Sequence, residues 1–88
     1  MFILLHTYDN GERWPEDRIF FEGRVVCENN KVLTFETASE ALSYAREQFQ
    51  KHRSYSNEYE MLIDNGTIVA FHHTSGYNAQ MFRIVELK

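Results

Sequence analysis

The chain has 88 residues, of which 43% are apolar and 15% aromatic, which is enough for one small domain with a real core and too few for two. Thirteen acidic residues outnumber nine basic ones, and the net charge of −4 argues against a general DNA- or RNA-backbone binder. The single cysteine excludes an internal disulfide, and the apolar run at residues 2–5 is too short for a signal peptide or a membrane span. We therefore expect a cytoplasmic protein that does not enter a membrane.

The first third of the chain predicts three strands, at residues 2–8, 19–28 and 31–36. The first is a continuous apolar run, which is typical of a strand covered on both faces. Asn29 and Asn30 separate the second strand from the third, and asparagine tolerates the left-handed backbone that a tight turn requires. This turn would place Glu28 opposite Lys31, a favourable pair of charges.

A helix is predicted to begin after Thr37, because Thr37-Ala-Ser-Glu40 matches the capping box. The apolar positions that follow recur every three or four residues and form one stripe: Ala38, Ala41, Leu42, Ala45 and Phe49. The pattern ends at about His52. We therefore expect a single amphipathic helix that packs one face on a sheet.

The last part of the chain predicts a hairpin and a final strand. Glu58–Asp64 and Thr67–His73 are joined by Asn65-Gly66, the strongest short hairpin signal, and Met81–Leu87 completes the series. The order β-β-β-α-β-β-β, with short links, predicts a single α+β domain over residues 1–88. Its antiparallel sheet would have about five to six strands, crossed by one helix.

The hairpin turn also predicts which side chains face the helix. Three pairs would lie on that face: Ile63 with Ile68, Met61 with Ala70, and Tyr59 with His72. Leu62, Val69 and Phe71 would then lie on the opposite face, with Glu58, Glu60 and His73 around them. Because exposing three large apolar side chains costs about 1.5–3 kcal/mol each, we predict that this face pairs with a second copy in a homodimer.

No constellation of residues predicts catalysis, a metal site or a cofactor. His72 and His73 are adjacent in a strand, so their side chains point to opposite faces and do not readily bind one ion. Cys27 lies inside a predicted strand beside a carboxylate, which is typical of an unreactive thiol. The chain has no P-loop, no dinucleotide-binding glycine motif and no nucleophile elbow. We expect a non-enzymatic protein.

The densest acidic segment surrounds the only tryptophan. Its carboxylates and its aromatic anchor are Asp9, Glu12, Trp14, Glu16 and Asp17. An aromatic side chain ringed by carboxylates is suited to recognising a basic protein surface, including one that normally holds nucleic acid. Alternatively, Trp14 folds back on the sheet and the carboxylates only keep the loop hydrated.

A basic cluster at the end of the helix gives a second interpretation. Arg46, Lys51 and Arg53, together with Tyr55, would let the protein bind nucleic acid or another phosphate ligand. The competing explanation is that basic residues complement the negative end of the helix dipole.

The layout of a short acidic chain with a capped helix after a strand, a strand–Asn-Gly–strand hairpin and a final strand resembles small phage-encoded anti-CRISPR inhibitors of α+β type. The resemblance covers the helix from Thr37 to about His52 and the hairpin Tyr59–Phe71. It implies a non-enzymatic inhibitor that occupies the surface of a nucleic-acid-binding complex, and it carries over no site residue. We therefore expect a protein-binding inhibitor or adaptor whose partner has a basic surface.

Overall fold

One helix lies across an antiparallel sheet in the computed structural model, which describes residues 1–9 and 23–88. The elements in chain order are β1 (Phe2–Asp9), β2 (Arg24–Val25), β3 (Cys27–Glu28), β4 (Lys31–Val32), α1 (Ala38–Tyr55), β5 (Tyr59–Asp64), β6 (Ile68–His73) and β7 (Ala79–Glu86). Within these ranges the main sheet has the order β2-β1-β7-β6-β5, and β3 pairs with β4 separately. The predicted α+β class is confirmed.

The helix begins where the sequence predicts. The Thr37 hydroxyl accepts a hydrogen bond from the Glu40 N–H at 3.2 Å. The Glu40 carboxylate in return accepts from the Glu36 N–H at 3.2 Å, one residue earlier than in the usual capping box. The helix ends at Tyr55, one turn beyond the predicted end at His52. Apolar spacing could not reveal this last turn, because its side chains are mostly exposed.

The turn at Asn29 and Asn30 also forms as predicted. Both residues have positive φ, 52° and 64°, and Glu28 lies opposite Lys31 in the β3–β4 pair. The strands beside the turn are shorter than predicted. β2 and β3 fall within the predicted strand 19–28, of which residues 19–22 lie outside the described residues, and β4 covers only the start of the predicted strand 31–36.

The β5–β6 hairpin differs from the prediction because Asn65 does not occupy a central position of the turn. Its side-chain oxygen accepts from the N–H groups of Thr67 and Ile68, at 3.1 and 2.8 Å, and its own N–H donates to the Ile68 carbonyl at 3.2 Å. Gly66, with a φ of 87°, and Thr67 are therefore the two central residues. Glycine at the first of these positions is typical of a type II′ turn.

The shifted turn moves the pairing by two residues and keeps the faces, but a bulge beyond it reverses the faces of β6 relative to the first half of β5. Asp64 pairs with Val69, and a bulge at Leu62 then sets Met61 opposite Phe71. Because successive side chains alternate between faces, a one-residue slip moves a whole strand's side chains to the other side. The prediction that Leu62, Val69 and Phe71 form an outward face is wrong: Val69 and Phe71 are buried in the core, and Leu62 lies in the bulge. The homodimer predicted from that patch loses its basis.

The core lies between the helix and the central strands. Its buried members are Leu4, Ala41, Ala45, Phe49, Val69, Phe71 and Phe82. The small residues Ala41 and Ala45 let the helix approach the sheet closely, and the Phe49 and Phe71 rings meet with their centroids 5.4 Å apart. Ile68, Ala70 and His72, predicted to face the helix, alternate to the opposite face. Val69 and Phe71 of the hairpin therefore lie under the helix.

Replacing Phe71 by alanine tests this register. We expect Phe71→Ala to lower the free energy of unfolding by about 3–5 kcal/mol, because the removed ring leaves a cavity in a close-packed core. Ile63→Ala is the matched control, since Ile63 is 39% exposed, and it should cost about 1 kcal/mol or less. Urea denaturation measures both values. Similar costs for the two substitutions would contradict the observed register.

Candidate functional site

Five polar side chains from separate parts of the chain meet between the second half of the helix and the sheet. We call them the amide–imidazole cluster: His6 of β1, His52 of the helix, Tyr59 of β5, Asn78 of the loop before β7, and Gln80 of β7. Asn78 has a φ of 54°, a left-handed conformation that asparagine tolerates better than most residues. The fold thus brings together residues that are up to 74 positions apart in the sequence.

The Gln80 amide is the centre of the cluster. Its oxygen lies 2.8 Å from His6 Nε2, and its nitrogen lies 3.1 Å from His52 Nε2 and 3.3 Å from the Asn78 side-chain oxygen. The Asn78 side-chain nitrogen in turn donates to the Tyr59 hydroxyl. Because an amide oxygen accepts and an amide nitrogen donates, His6 donates to Gln80, and His52 accepts from it.

The far side of the His52 ring confirms its tautomer. Nδ1 lies 2.8 Å from the backbone carbonyl of Gln48, which can only accept, so Nδ1 carries the proton. Nε2 is then free to accept from Gln80. The ring also packs edge-on against Tyr59, with centroids 5.1 Å apart. Hydrogen bonds and ring packing therefore hold this imidazole in one orientation.

Ring stacking also holds the His6 side chain of β1 in one orientation. Its ring stacks on Phe82 with centroids 4.4 Å apart and an interplanar angle of 12°. Burial lowers the pKa of His6 below its ordinary value of 6.5, and the neighbouring His52 lowers it further, whereas the hydrogen bond to Gln80 raises it. Partial burial thus favours the uncharged imidazole.

Aromatic contacts continue from the cluster to the surface. Tyr59 meets the His73 ring edge-on at 5.4 Å, and His73 stacks on Tyr77 at 4.6 Å. On the other side of the cluster, Tyr8 lies opposite Gln80 in the β1–β7 pair. We call Tyr59, His73 and Tyr77 the tyrosine surface. Tyr8 and Tyr77 are 44% and 38% exposed, so they present aromatic area to solvent.

The two adjacent histidines, His72 and His73, pair separately with carboxylates. His72 Nε2 lies 2.8 Å from Glu60, and His73 Nε2 lies 3.1 Å from Glu58. The sequence predicts one partly buried and one exposed ring. Instead both are largely covered, with the His72 side chain 5% exposed and the His73 side chain 12% exposed. Among the described residues, no group of three or more histidine, cysteine or acidic side chains is placed to hold a metal ion.

The members of the predicted basic cluster at the end of the helix make separate contacts. Arg46 makes two hydrogen bonds to the Asp64 carboxylate, at 3.0 and 2.8 Å, which hold the pKa of Asp64 below its usual value. Arg53 lies over the Phe49 ring, 5.8 Å from its centroid. Lys51 and Tyr55 are exposed, and Tyr55 is 90% exposed. Two of the three predicted phosphate ligands therefore already contact other side chains.

Of the predicted acidic segment, the structure places only the backbone of Asp9, at the end of β1 opposite Ala79. The other four residues, Glu12, Trp14, Glu16 and Asp17, lie outside the described residues. Asp9 lies opposite Ala79, two residues after Tyr77, so the acidic segment starts close to the tyrosine surface.

Sequence reasoning missed the amide–imidazole cluster entirely. A signal was present, because His6 follows Phe2 and Leu4 on the apolar side of its strand, and such a position predicts a polar group with a buried partner. Gln80 gave no comparable signal, because it lies before the predicted start of the last strand. Its partners could be known only once β1, β7 and the helix were placed together.

A scan against protein-family models, a search of curated proteins and a search of solved structures each found no match to this chain. In residues 1–9 and 23–88, no helix combines the length and apolar character needed to cross a membrane. The site must therefore be interpreted from its own residues.

The lowered pKa of His6 predicts how stability changes with pH. The unfolded chain binds a proton at His6 near pH 6.5, whereas the folded chain resists it, so acidification below this value favours unfolding. We expect the stability advantage of the wild type over His6→Gln to shrink as the pH falls from about 7.5 to 5. Urea denaturation across this range measures it. An advantage that stays constant or grows on acidification would contradict the assignment.

Proposed function

We propose that this protein is a non-enzymatic protein-binding module, an inhibitor or adaptor that occupies a basic, nucleic-acid-binding surface of a partner complex. The observation that carries the proposal is the position of the tyrosine surface beside the start of the acidic segment at Asp9. The resemblance to small anti-CRISPR inhibitors implies the same mode of action.

The tyrosine surface has the properties of a contact surface for a protein. Tyrosine offers a large, rigid area with a polar tip and loses little conformational entropy on binding. The rings of Tyr59, His73 and Tyr77 are already held by one another, at 5.4 and 4.6 Å, so a partner would not need to order them. Pre-ordered aromatic side chains are typical of residues that dominate binding energy.

The acidic segment supplies the charge complementarity. Between residues 9 and 17 the chain carries Asp9, Glu12, Glu16 and Asp17 against the single basic residue Arg13. Such a segment attracts a basic surface and repels nucleic acid, so it favours a partner whose basic groove normally holds DNA or RNA. Direct nucleic-acid binding through Arg46 and Arg53 is less favoured, because both already contact other side chains.

Affinity capture from bacterial lysate, followed by binding measurements on the recovered partner, tests the proposal. We expect to recover a nucleic-acid-binding protein or complex. The DNA or RNA that this partner normally binds should displace it from the chain. Trp14→Ala should weaken binding on the order of 30-fold, the effect of losing a hot-spot side chain of about 2 kcal/mol. Tyr77→Ala should weaken it as well, because it removes area from the tyrosine surface.

Charge reversal supplies the matched control. Glu16→Lys and Glu86→Lys change the net charge equally, but Glu86 lies at the end of β7, away from the acidic segment in sequence and opposite Phe2. Only Glu16→Lys should slow association markedly at low salt. The proposal fails if no partner is recovered, if both reversals act alike, or if the chain itself shifts DNA or RNA in a mobility assay.

A further inference from the structure

The hydrogen bonds of the amide–imidazole cluster all run in one direction. His6 donates to Gln80, Gln80 donates to His52 and to Asn78, and Asn78 donates to Tyr59. Each amide accepts on the side of His6 and donates on the side of Tyr59. The direction is fixed at His52, because its Nδ1 proton is bound to the Gln48 carbonyl and only Nε2 can accept.

A second proton on His52 is incompatible with this arrangement. It would sit on Nε2 and face the Gln80 side-chain nitrogen, 3.1 Å away, which is also a donor. Two donors at that distance repel, and in this partly buried setting an unmade hydrogen bond is costly. The nearest remedy is a half-turn of the Gln80 amide, which brings its oxygen to His52.

The turn of Gln80 propagates to both ends. Its oxygen then faces the Asn78 oxygen, so Asn78 must also turn over and accept from the Tyr59 hydroxyl. Its nitrogen then faces His6 Nε2, which must accept and so must hold its proton on Nδ1 instead. The cluster gains one proton in total, at His52, because His6 loses one at Nε2 and takes one at Nδ1.

We propose that the amide–imidazole cluster is a proton-controlled relay with two states of opposite hydrogen-bond direction, and that the protonation of His52 selects between them. When His52 is neutral, His6 has a hydrogen-bond acceptor at Nδ1. When His52 is protonated, His6 has a donor at Nδ1. The Tyr59 hydroxyl changes from accepting to donating toward Asn78. The proton that His52 takes up thus alters the hydrogen bonding of groups at the edge of the tyrosine surface.

Among the groups around His52, Gln80 is the side chain whose amide must turn when His52 gains a proton. The His52 ring contacts Tyr59 of β5 and Phe71 of β6, in each case with ring centroids 5.1 Å apart. Tyr59 in turn contacts His73. From β7 the His52 ring meets Gln80, which separates it from His6 of β1. On its own helix, Lys51 and Arg53 are exposed neighbours, and the nearby Glu58 is already bound to His73. The inference goes beyond the proposed function and does not depend on it.

Nitrogen-15 spectra of the histidine rings test the relay. We expect the spectrum of the uncharged His52 ring to show its proton on Nδ1, and the spectrum of the charged ring to show protons on both nitrogens. As His52 becomes charged, the His6 proton should move from Nε2 to Nδ1 with the same midpoint while that ring stays neutral. A His6 tautomer that does not change as His52 titrates, or a His6 ring that is protonated first, would overturn the relay.

Substitutions at Gln80 test whether the amide carries the coupling. In Gln80→Met, a side chain of similar size without polar hydrogen-bonding groups, the His6 tautomer should no longer follow the protonation of His52. In Gln80→Glu, a carboxylate accepts from both rings, so His6 should keep its Nε2 proton throughout. His73→Gln is the control that should leave the coupling intact. Coupling that persists in both Gln80 variants would contradict the proposal, and dispersed amide spectra establish folding in each case.

Discussion

The burial of Phe71 under the helix is the packing interaction on which the rest of the structure depends. Its ring lies 5.4 Å from Phe49 and 5.1 Å from His52 on the helix, 6.3 Å from Phe82 on β7, and 6.5 Å from Tyr59 on β5. One side chain of β6 thus contacts the helix and both neighbouring strands. Because such a ring contributes several kcal/mol when it is buried, the register that buries it is strongly favoured.

The same ring also positions the candidate site. His52 packs on Phe71 and lies one turn from Phe49, so the helix that completes the core also presents an imidazole to the sheet. Gln80 pairs with Phe71 across β6 and β7, which brings its amide to that imidazole. Apolar packing therefore fixes the distances between polar groups that no local sequence feature brings together. A change in the hairpin register would therefore disrupt both the core and the cluster.

Local signals predicted the parts of this fold that local chemistry determines. The Thr37 hydroxyl and the Asn29-Asn30 turn act within a few residues, and both formed as expected. The hairpin register did not follow, because the side chain of Asn65 bonds to the backbone beyond Gly66 and moves the turn by one position. A bulge at Leu62 shifts the pairing once more. Both turn positions give β6 the same faces, so the bulge is the feature that sets Phe71 on the face of Met61 and in the core.

The four histidines are of two kinds, those with a carboxylate partner and those whose partners are uncharged. His72 and His73 contact the carboxylates of Glu60 and Glu58, whereas His6 and His52 contact only amides, a carbonyl and aromatic rings among the contacts described above. A carboxylate only accepts hydrogen bonds, whereas an amide can serve a donor or an acceptor by turning over. Glutamine at position 80 therefore matters physically: it satisfies the cluster without charge and leaves the position of the protons open to change.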